Sequence, residues 1–290
     1  GEEGTLVDMT QQLDVTYDSG TGAYTYTAKS AHGLKAVADW MADGGTPPLK
    51  PANNPDAPDY AGTAPETNAD DLAARMKTNL ILPTDIDLGG LTVNTYNDGG
   101  TNGFANWRPI GTPSAPYTGT FDGGGFTVKG LDIQRPQADY QGFFGTVAAK
   151  DGAGATVKNL TVTGSVEGKD CVAAIVACNT GGSLENCISN ATVKANGTSA
   201  RAGGVAALND GGTLIACYAT GEVSATGTGS RVGGVVGLNQ NNGNLYLCAG
   251  MATTLTGTNG RLLHHHHRLQ SGWRRRHRRR HPERLLPHRQ

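Results

Sequence analysis

The feature that most constrains this chain is a repeat. RAGGVAALNDGGTLIACYATGEV begins at Arg201, and RVGGVVGLNQNNGNLYLC begins at Arg231. A more divergent copy, CVAAIVACNTGGSLENCISNATV, begins at Cys171. Asn179, Asn209 and Asn239 fall thirty residues apart, and Cys187, Cys217 and Cys248 follow at thirty and thirty-one. Fixed periods of this size belong to solenoids, propellers and arrays. Each copy carries an alternating apolar run, an Asn with a Gly-rich turn, and a second alternating run. That is a strand signal, and no amphipathic helical stripe accompanies it. A propeller blade needs about 40 residues, so a unit of thirty suits one coil of a parallel β-helix better.

In such a coil, equivalent residues stack about 4.8 Å apart, one strand spacing. Stacking like on like predicts that Asn179, Asn209 and Asn239 form an internal amide ladder at a tight turn, rather than ligands for a substrate. The five cysteines (Cys171, Cys178, Cys187, Cys217 and Cys248) match no zinc spacing and read as buried thiols. A disulfide between stacked neighbours is disfavoured, because parallel side chains hold the Cβ atoms too far apart.

Upstream, AYTYTA at Ala23–Ala28 reads as a strand. The stretch from Ser30 reads as a helix over 30–43, with Ser30 as N-cap, Leu34, Val37, Trp40 and Met41 on one face, and Gly44 and Gly45 closing it. An open solenoid end exposes strand edges, and this helix is the natural plug. His32 reads as an exposed residue of its first turn. The Pro/Asn-rich loop 46–68 suggests disorder or an insertion, and Ala69–Met76 one or two helical turns. These elements make up an N-terminal cap, 1–77. From 78 to 260 the β-pattern is continuous. Gly142-Phe143-Phe144-Gly145 aligns with Gly204-Val205-Ala206-Ala207 and Gly234-Val235-Val236-Gly237, so the repeat extends back through divergent coils. Roughly six coils would give a rod about 30 Å long.

The ordered series SAHGLKAVADW, LPTDIDLGG, NWRPIG, YTGTFDGGGFTVKGL, GFFG, KNLTVTGSV and the GGVVG coils resembles bacterial surface proteins with the GLUG repeat, over about residues 28–255. The coil from Cys171 departs from the pattern, carrying Ala where Gly is expected. The resemblance implies an exported, right-handed parallel β-helix displayed at the cell surface. Similar repeats also occur in the amino-terminal regions of bacterial IgA-specific metalloproteases.

The formal net charge of −1 hides an asymmetry. Residues 261–290 hold ten Arg against one Glu, a net of +9, which leaves −10 for residues 1–260. An acidic body argues against nucleic acid as its partner. The 261–290 segment, with seven of the eight His, is expected to be a disordered Arg/His-rich tail. A basic arm and metal binding by His264–His267 are two readings of it. A third is a frameshift product, since shifting CTN, CAY and CGN codons by one base gives the Gly, Ala, Thr and Val of the body. No apolar run approaches the ~18 residues of a membrane span, and no signal peptide is visible. A leader and an anchor lying outside this chain would fit an extracellular or cell-surface location.

Chemistry is sparse. No zinc-helix, nucleophile-elbow or P-loop motif occurs. A polysaccharide lyase or hydrolase on a β-helix wall needs clustered carboxylates with Arg or Lys. The candidates are Asp85, Asp87, Asp122 and Asp132 with Arg108 and Lys129; Asp85 and Asp87 would lie side by side on one strand face. Turn roles suffice for each, Asp122 before Gly123-Gly124-Gly125 above all. Trp107, Tyr117 and Tyr140 are possible sugar-stacking platforms. Trp107 is expected in the core, and Tyr117, beside Pro116, is the better candidate for an exposed platform. Asn159 and Asn196 head glycosylation sequons that matter only in a eukaryotic secretory route.

These readings converge on a non-enzymatic extracellular surface module, adhesin-like or spacer, that binds glycan or protein ligands along a rod. No catalytic, cofactor or metal residue is expected. The alternatives are a carbohydrate-active β-helix enzyme and a repeat region of a larger protease. Because the last coil shows no C-terminal cap, edge-to-edge self-association is expected.

Overall fold

Stacked parallel strands build the molecule. The computed structural model describes residues 7–60, 69–91, 103–150, 153–251, 254–257 and 260–263. It is a β-solenoid of about four turns with about 30 residues per turn and a small helical N-terminus. One wall stacks Asn79–Ile81, Thr120–Asp122, the start of Thr156–Gly168, Ser183–Ser189, Thr213–Ile215 and Asn244–Tyr246. Its inward row is Leu80, Phe121, Val157, Leu184, Leu214 and Leu245, paired in register throughout. The next wall aligns Ile133, Val166, Val193, Val223 and Leu255. A third stacks Val172–Ala173, Arg201–Gly203, Arg231–Gly233 and Arg261–Leu263, and a fourth aligns Phe144, Val176, Ala206 and Val236. Like residues stack on like, so one apolar position per strand becomes a continuous core column.

The turn count corrects the expected six coils. The first wall does carry six parallel rungs from Asn79 to Asn244, but among the described residues the third wall has four strands. The rungs at Asn79 and Thr120 are 41 residues apart. Among the described residues, the stretch between them holds the two short strands Ile86–Asp87 and Phe104–Ala105 and the loop carrying Trp107. From Cys171 onward the coils are regular, and Ala173 pairs in register with Gly203. The departure from the Gly pattern at Ala173 therefore leaves that coil intact.

The Gly-Gly-Val pattern follows from a bend between the third and fourth walls. A Cβ on Gly203 would lie 1.9 Å from Ala206 O, and one on Gly233 1.8 Å from Val236 O. A side chain at either glycine would require the backbone to shift, while Val205 and Val235 point into the core and are fully buried. A second corner places Asn159, Asn186, Ala216 and Leu247 one above another, all left-handed, with φ of 50–55°. Asn tolerates that backbone, whereas Ala and Leu are strained in it.

At the third corner, the expected ladder is present. Asn179 Nδ2 donates to Asn209 Oδ1 at 2.9 Å, and Asn209 Nδ2 to Asn239 Oδ1 at 2.7 Å. Asn179, Asn209 and Asn239 also donate through Nδ2 to Gly182 O, Gly212 O and Gly243 O, respectively, at 2.8–3.0 Å. The ladder starts at Asn179 because Val147 holds its place in the preceding coil, leaving Asn179 Oδ1 without a donor. One extra residue between Asn239 and Gly243, relative to Asn209 and Gly212, moves Cys248 to a spacing of thirty-one. All five cysteines are free and buried. Cys187, Cys217 and Cys248 donate their thiols to Val157 O, Leu184 O and Leu214 O of the preceding coil.

Helix Ala31–Asp43 covers the first coil. Ser30 Oγ accepts from Gly33 N at 3.1 Å, and Gly44 N donates back to Trp40 O at 2.8 Å. Leu34, Val37, Trp40 and Met41 are buried, and His32 is exposed. An antiparallel hairpin, Leu13–Asp18 with Ala23–Ala28, lies on the edge of the first wall, where Tyr26 pairs with Leu80. Residues 46–60 are irregular yet anchored by tyrosine hydroxyls. Tyr24 donates to Pro58 O and Tyr26 to Leu49 O, both at 2.7 Å, and Tyr60 donates to Gly22 O at 2.9 Å. Buried Arg75, at the end of helix Ala69–Arg75, donates to Met41 O and Tyr60 O. The remainder of the expected loop, 61–68, lies outside the described residues.

The tail expectation needs one correction. Arg261–Leu263 is a strand that stacks on Arg231–Gly233, with Arg261 directly below Arg201 and Arg231 in the column. The solenoid register thus runs three residues into the segment expected to be disordered. Residues 264–290, including His264–His267, lie outside the described residues.

Candidate functional site

Each charged residue of the hypothetical catalytic wall is held in a local contact. Asp85 Oδ1 accepts from Thr127 N at 2.9 Å, and its Oδ2 pairs with Lys129 Nζ at 3.1 Å. The Thr127 amide and then Lys129 hold this carboxyl below the usual carboxylate range. Asp87 does not line up with Asp85 as a free second carboxylate; it caps the following 3-10 turn by accepting from Gly89 N at 2.8 Å. Asp122 Oδ1 accepts from Gly124 N at 2.9 Å and from Asn159 Nδ2 at 3.2 Å. Asn186 Nδ2 then donates to Asn159 Oδ1, so Asp122 anchors a short surface ladder, and the first sequon asparagine is part of it. The second, Asn196, donates to Glu167 and Gly168 O. Asp132 accepts from Gln134 Nε2 at 3.0 Å. Arg108 pairs with Asp43 of the cap, at 2.7 Å.

Among the aromatic candidates, Trp107 is in the core. Its ring stacks on Phe143 with centroids 4.7 Å apart, and its Nε1 donates to Phe143 O at 2.9 Å. Tyr117, the better candidate for an exposed platform, is not one. It is fully buried against Phe144, and its hydroxyl donates to Thr78 O at 2.8 Å. Pro116 ends a loop, but Tyr117 bridges to Val147 and therefore joins the fourth wall, where its ring must point inward. Tyr140 remains half-buried at the surface, with a left-handed backbone at φ 56°. One side of it packs against the small outer cluster of Cys171, Ala173, Ala177, Cys178, Ala207 and Leu208.

Tyr140 also lines a cleft of about 330 Å³ where the cap meets the solenoid. Four segments distant in sequence converge there. The cap helix contributes Asp43, helix Ala69–Arg75 contributes Leu72, and Met76 follows it. The loop after Trp107 contributes Arg108, Pro109 and Pro113, and the loop before Phe143 contributes Arg135, Asp139 and Gln141. Gln141 is buried, with Nε2 donating to Asp139 O at 2.8 Å and Oε1 lacking a hydrogen-bond partner. The lining is apolar with two guanidinium and two carboxylate groups at its rim, and the four charges balance. Of the residues singled out from the sequence, only Arg108 and Tyr140 meet here. The cleft itself was not legible, because nothing in any one segment marks it. No group of three or more His, Cys, Asp or Glu that could hold a metal occurs among the described residues. None of the described helices is long and apolar enough to cross a membrane.

No family model matches the chain. It is 32% identical over 208 residues to "Halomucin" of Haloquadratum walsbyi, a match that covers 70% of this chain and 2% of that protein. It is 32% identical over 108 residues to a "Putative Gly-rich membrane protein" of Evansella cellulosilytica, covering 36% of this chain and 11% of that protein. The chain thus spans a small fraction of the length of the curated relatives it matches. A crystal structure from Bacteroides ovatus, described as a "putative immunoglobulin A1 protease", aligns over 64% of this chain and 66% of its own at a TM-score of 0.47 and 23% identity. The chain is a β-solenoid repeat module with sequence similarity to segments of two much longer proteins.

Proposed function

We propose that this chain is a GLUG-type surface repeat module that works outside the cell without catalysis, presenting a stiff rod for glycan or protein ligands. The observation that carries this reading is the way the charged residues are used. Asp85, Asp87, Asp122 and Asp132 serve turns and neighbouring side chains rather than converging as an acid–base pair. Affinity on such a surface comes from many weak contacts repeated along the rod. The names of the relatives, a mucin-type protein and a membrane protein, agree with a surface location. The test is a panel of polysaccharides, host glycans and matrix proteins presented to the purified chain and read for both retention and bond cleavage. Retention without cleavage is expected. New reducing ends or unsaturated products would replace this reading with a carbohydrate-active enzyme, and silence on both readouts would leave a spacer.

A further inference from the structure

We infer that the cleft between the cap and the solenoid binds a neutral saccharide; this rests on the reading of the chain as a ligand-presenting module and names the ligand class and the place. The chemistry of the lining selects the class. Leu72, Pro109, Pro113 and the half-buried Tyr140 supply apolar surface for the face of a pyranose ring. Arg108 and Arg135 supply planar donors, and Asp43 and Asp139 supply acceptors, within the same cleft. A vicinal diol uses both, since each hydroxyl donates and accepts. The two cations and two anions cancel, so a ligand with a net charge meets as much repulsion as attraction, while a neutral one loses nothing. At about 330 Å³ the cleft lies at the small end of ligand sites, matching about one or two sugar rings.

One feature favours recognition over simple packing at this junction. The Arg108–Asp43 ion pair spans cap and solenoid at 2.7 Å, fixing the relative position of two rim groups before any ligand arrives.

The experiment uses the full chain and saturation-transfer NMR with lactose, cellobiose, maltose and methyl mannoside. Glucuronic acid and glucosamine serve as charged counterparts. At least one neutral probe is expected to bind with a Kd of about 1–10 mM. Binding should weaken about tenfold in Tyr140→Asn, which removes the ring but suits a left-handed backbone. Arg135→Gln, on the same wall of the cleft, provides a second variant should Tyr140→Asn fold poorly. Tyr246→Ala, on a distant wall, should leave binding unchanged. Absence of binding by every neutral probe, preference for a charged probe, or indifference to both cleft variants would overturn the assignment. Loss of binding in Tyr246→Ala alone would also overturn it while keeping the surface module. Failure of every glycan and protein to bind would count against both.

Discussion

Asn209→Ala tests whether the buried amide ladder holds the coils in register. Asn209 is fully buried and makes three side-chain hydrogen bonds: it accepts from Asn179 and donates to Gly212 O and to Asn239. At about 1 kcal/mol net each, their loss costs about 3 kcal/mol. Two details shape the estimate. Gly212 O keeps the amide of Asn244 as a donor at 2.8 Å, so it is not orphaned. Asn179 Nδ2 keeps Gly182 O but loses its second acceptor in a buried place, which adds up to about 1 kcal/mol. The sum is about 3–4 kcal/mol. Asn239→Ala deletes the same ladder at its exposed end, where water replaces the lost partners, and should cost about 1 kcal/mol. Urea unfolding followed by far-ultraviolet circular dichroism reads both. With a slope of about 2–3 kcal/mol/M, the Asn209→Ala midpoint should fall by about 1–2 M at unchanged slope, and that of Asn239→Ala by a third of this or less. Equal shifts would refute the claim that burial, rather than the mere presence of the ladder, sets its worth.

Leu247→Asn relieves a left-handed strain at the corner column, and Ala216→Asn does so while offering a donor to Asn186; each should raise stability by about 0.5–1 kcal/mol in the same unfolding assay, and a loss would contradict the strain argument. Gly203→Ala places a Cβ 1.9 Å from a backbone oxygen and should cost about 1–3 kcal/mol, because the backbone must shift, as the coil carrying Ala173 at this stacked position accommodates, whereas Gly90→Ala has nothing within 4 Å and should be near neutral. Burial opposes ionisation of Asp170, but its hydrogen bonds from Arg201, at 2.6 Å, outweigh this and hold its carboxyl below the usual range. A depressed folded pKa contributes stability that is present above the unfolded value, about 3.9, and is lost as pH falls through the folded value. Asp170→Asn should therefore cost about 1 kcal/mol at pH 7 and flatten the acid limb of the stability profile; an unchanged limb would show the pair to be inert. Ile215, Tyr246, Leu247 and Met251 are exposed at the last coils, so light scattering is expected to show concentration-dependent association, weakened by Tyr246→Ser; a monomer at high concentration would exclude it.

How much of the site could be read in the sequence depends on whether its signal is local. Tyr117 beside Pro116 looks like a loop tyrosine, and only its bridge to Val147 shows that it joins a wall and turns inward. Asp85 and Asp87 are two apart and alternate like a strand face, yet each is recruited by a different backbone amide, Thr127 from the next coil and Gly89 from its own turn. The cleft at Tyr140 is assembled from segments spread from Asp43 to Gln141, and no spacing rule connects them.

The period of thirty determined the fold. When each coil repeats its apolar positions, every inward residue finds its own kind above and below, so Asn179, Asn209 and Asn239, or Leu184, Leu214 and Leu245, could be stacked from the sequence alone. The helix caps were equally local, since Ser30 and Gly44 act within one turn of the residues they serve. Tertiary structure alone decided where repetition stops. It closed the first two coils with the cap and its hairpin, kept Arg261 in the column, and placed the cap against the Arg108 loop to open the cleft. Those outcomes depend on contacts between segments that share no period, and such contacts form only when the whole chain has packed.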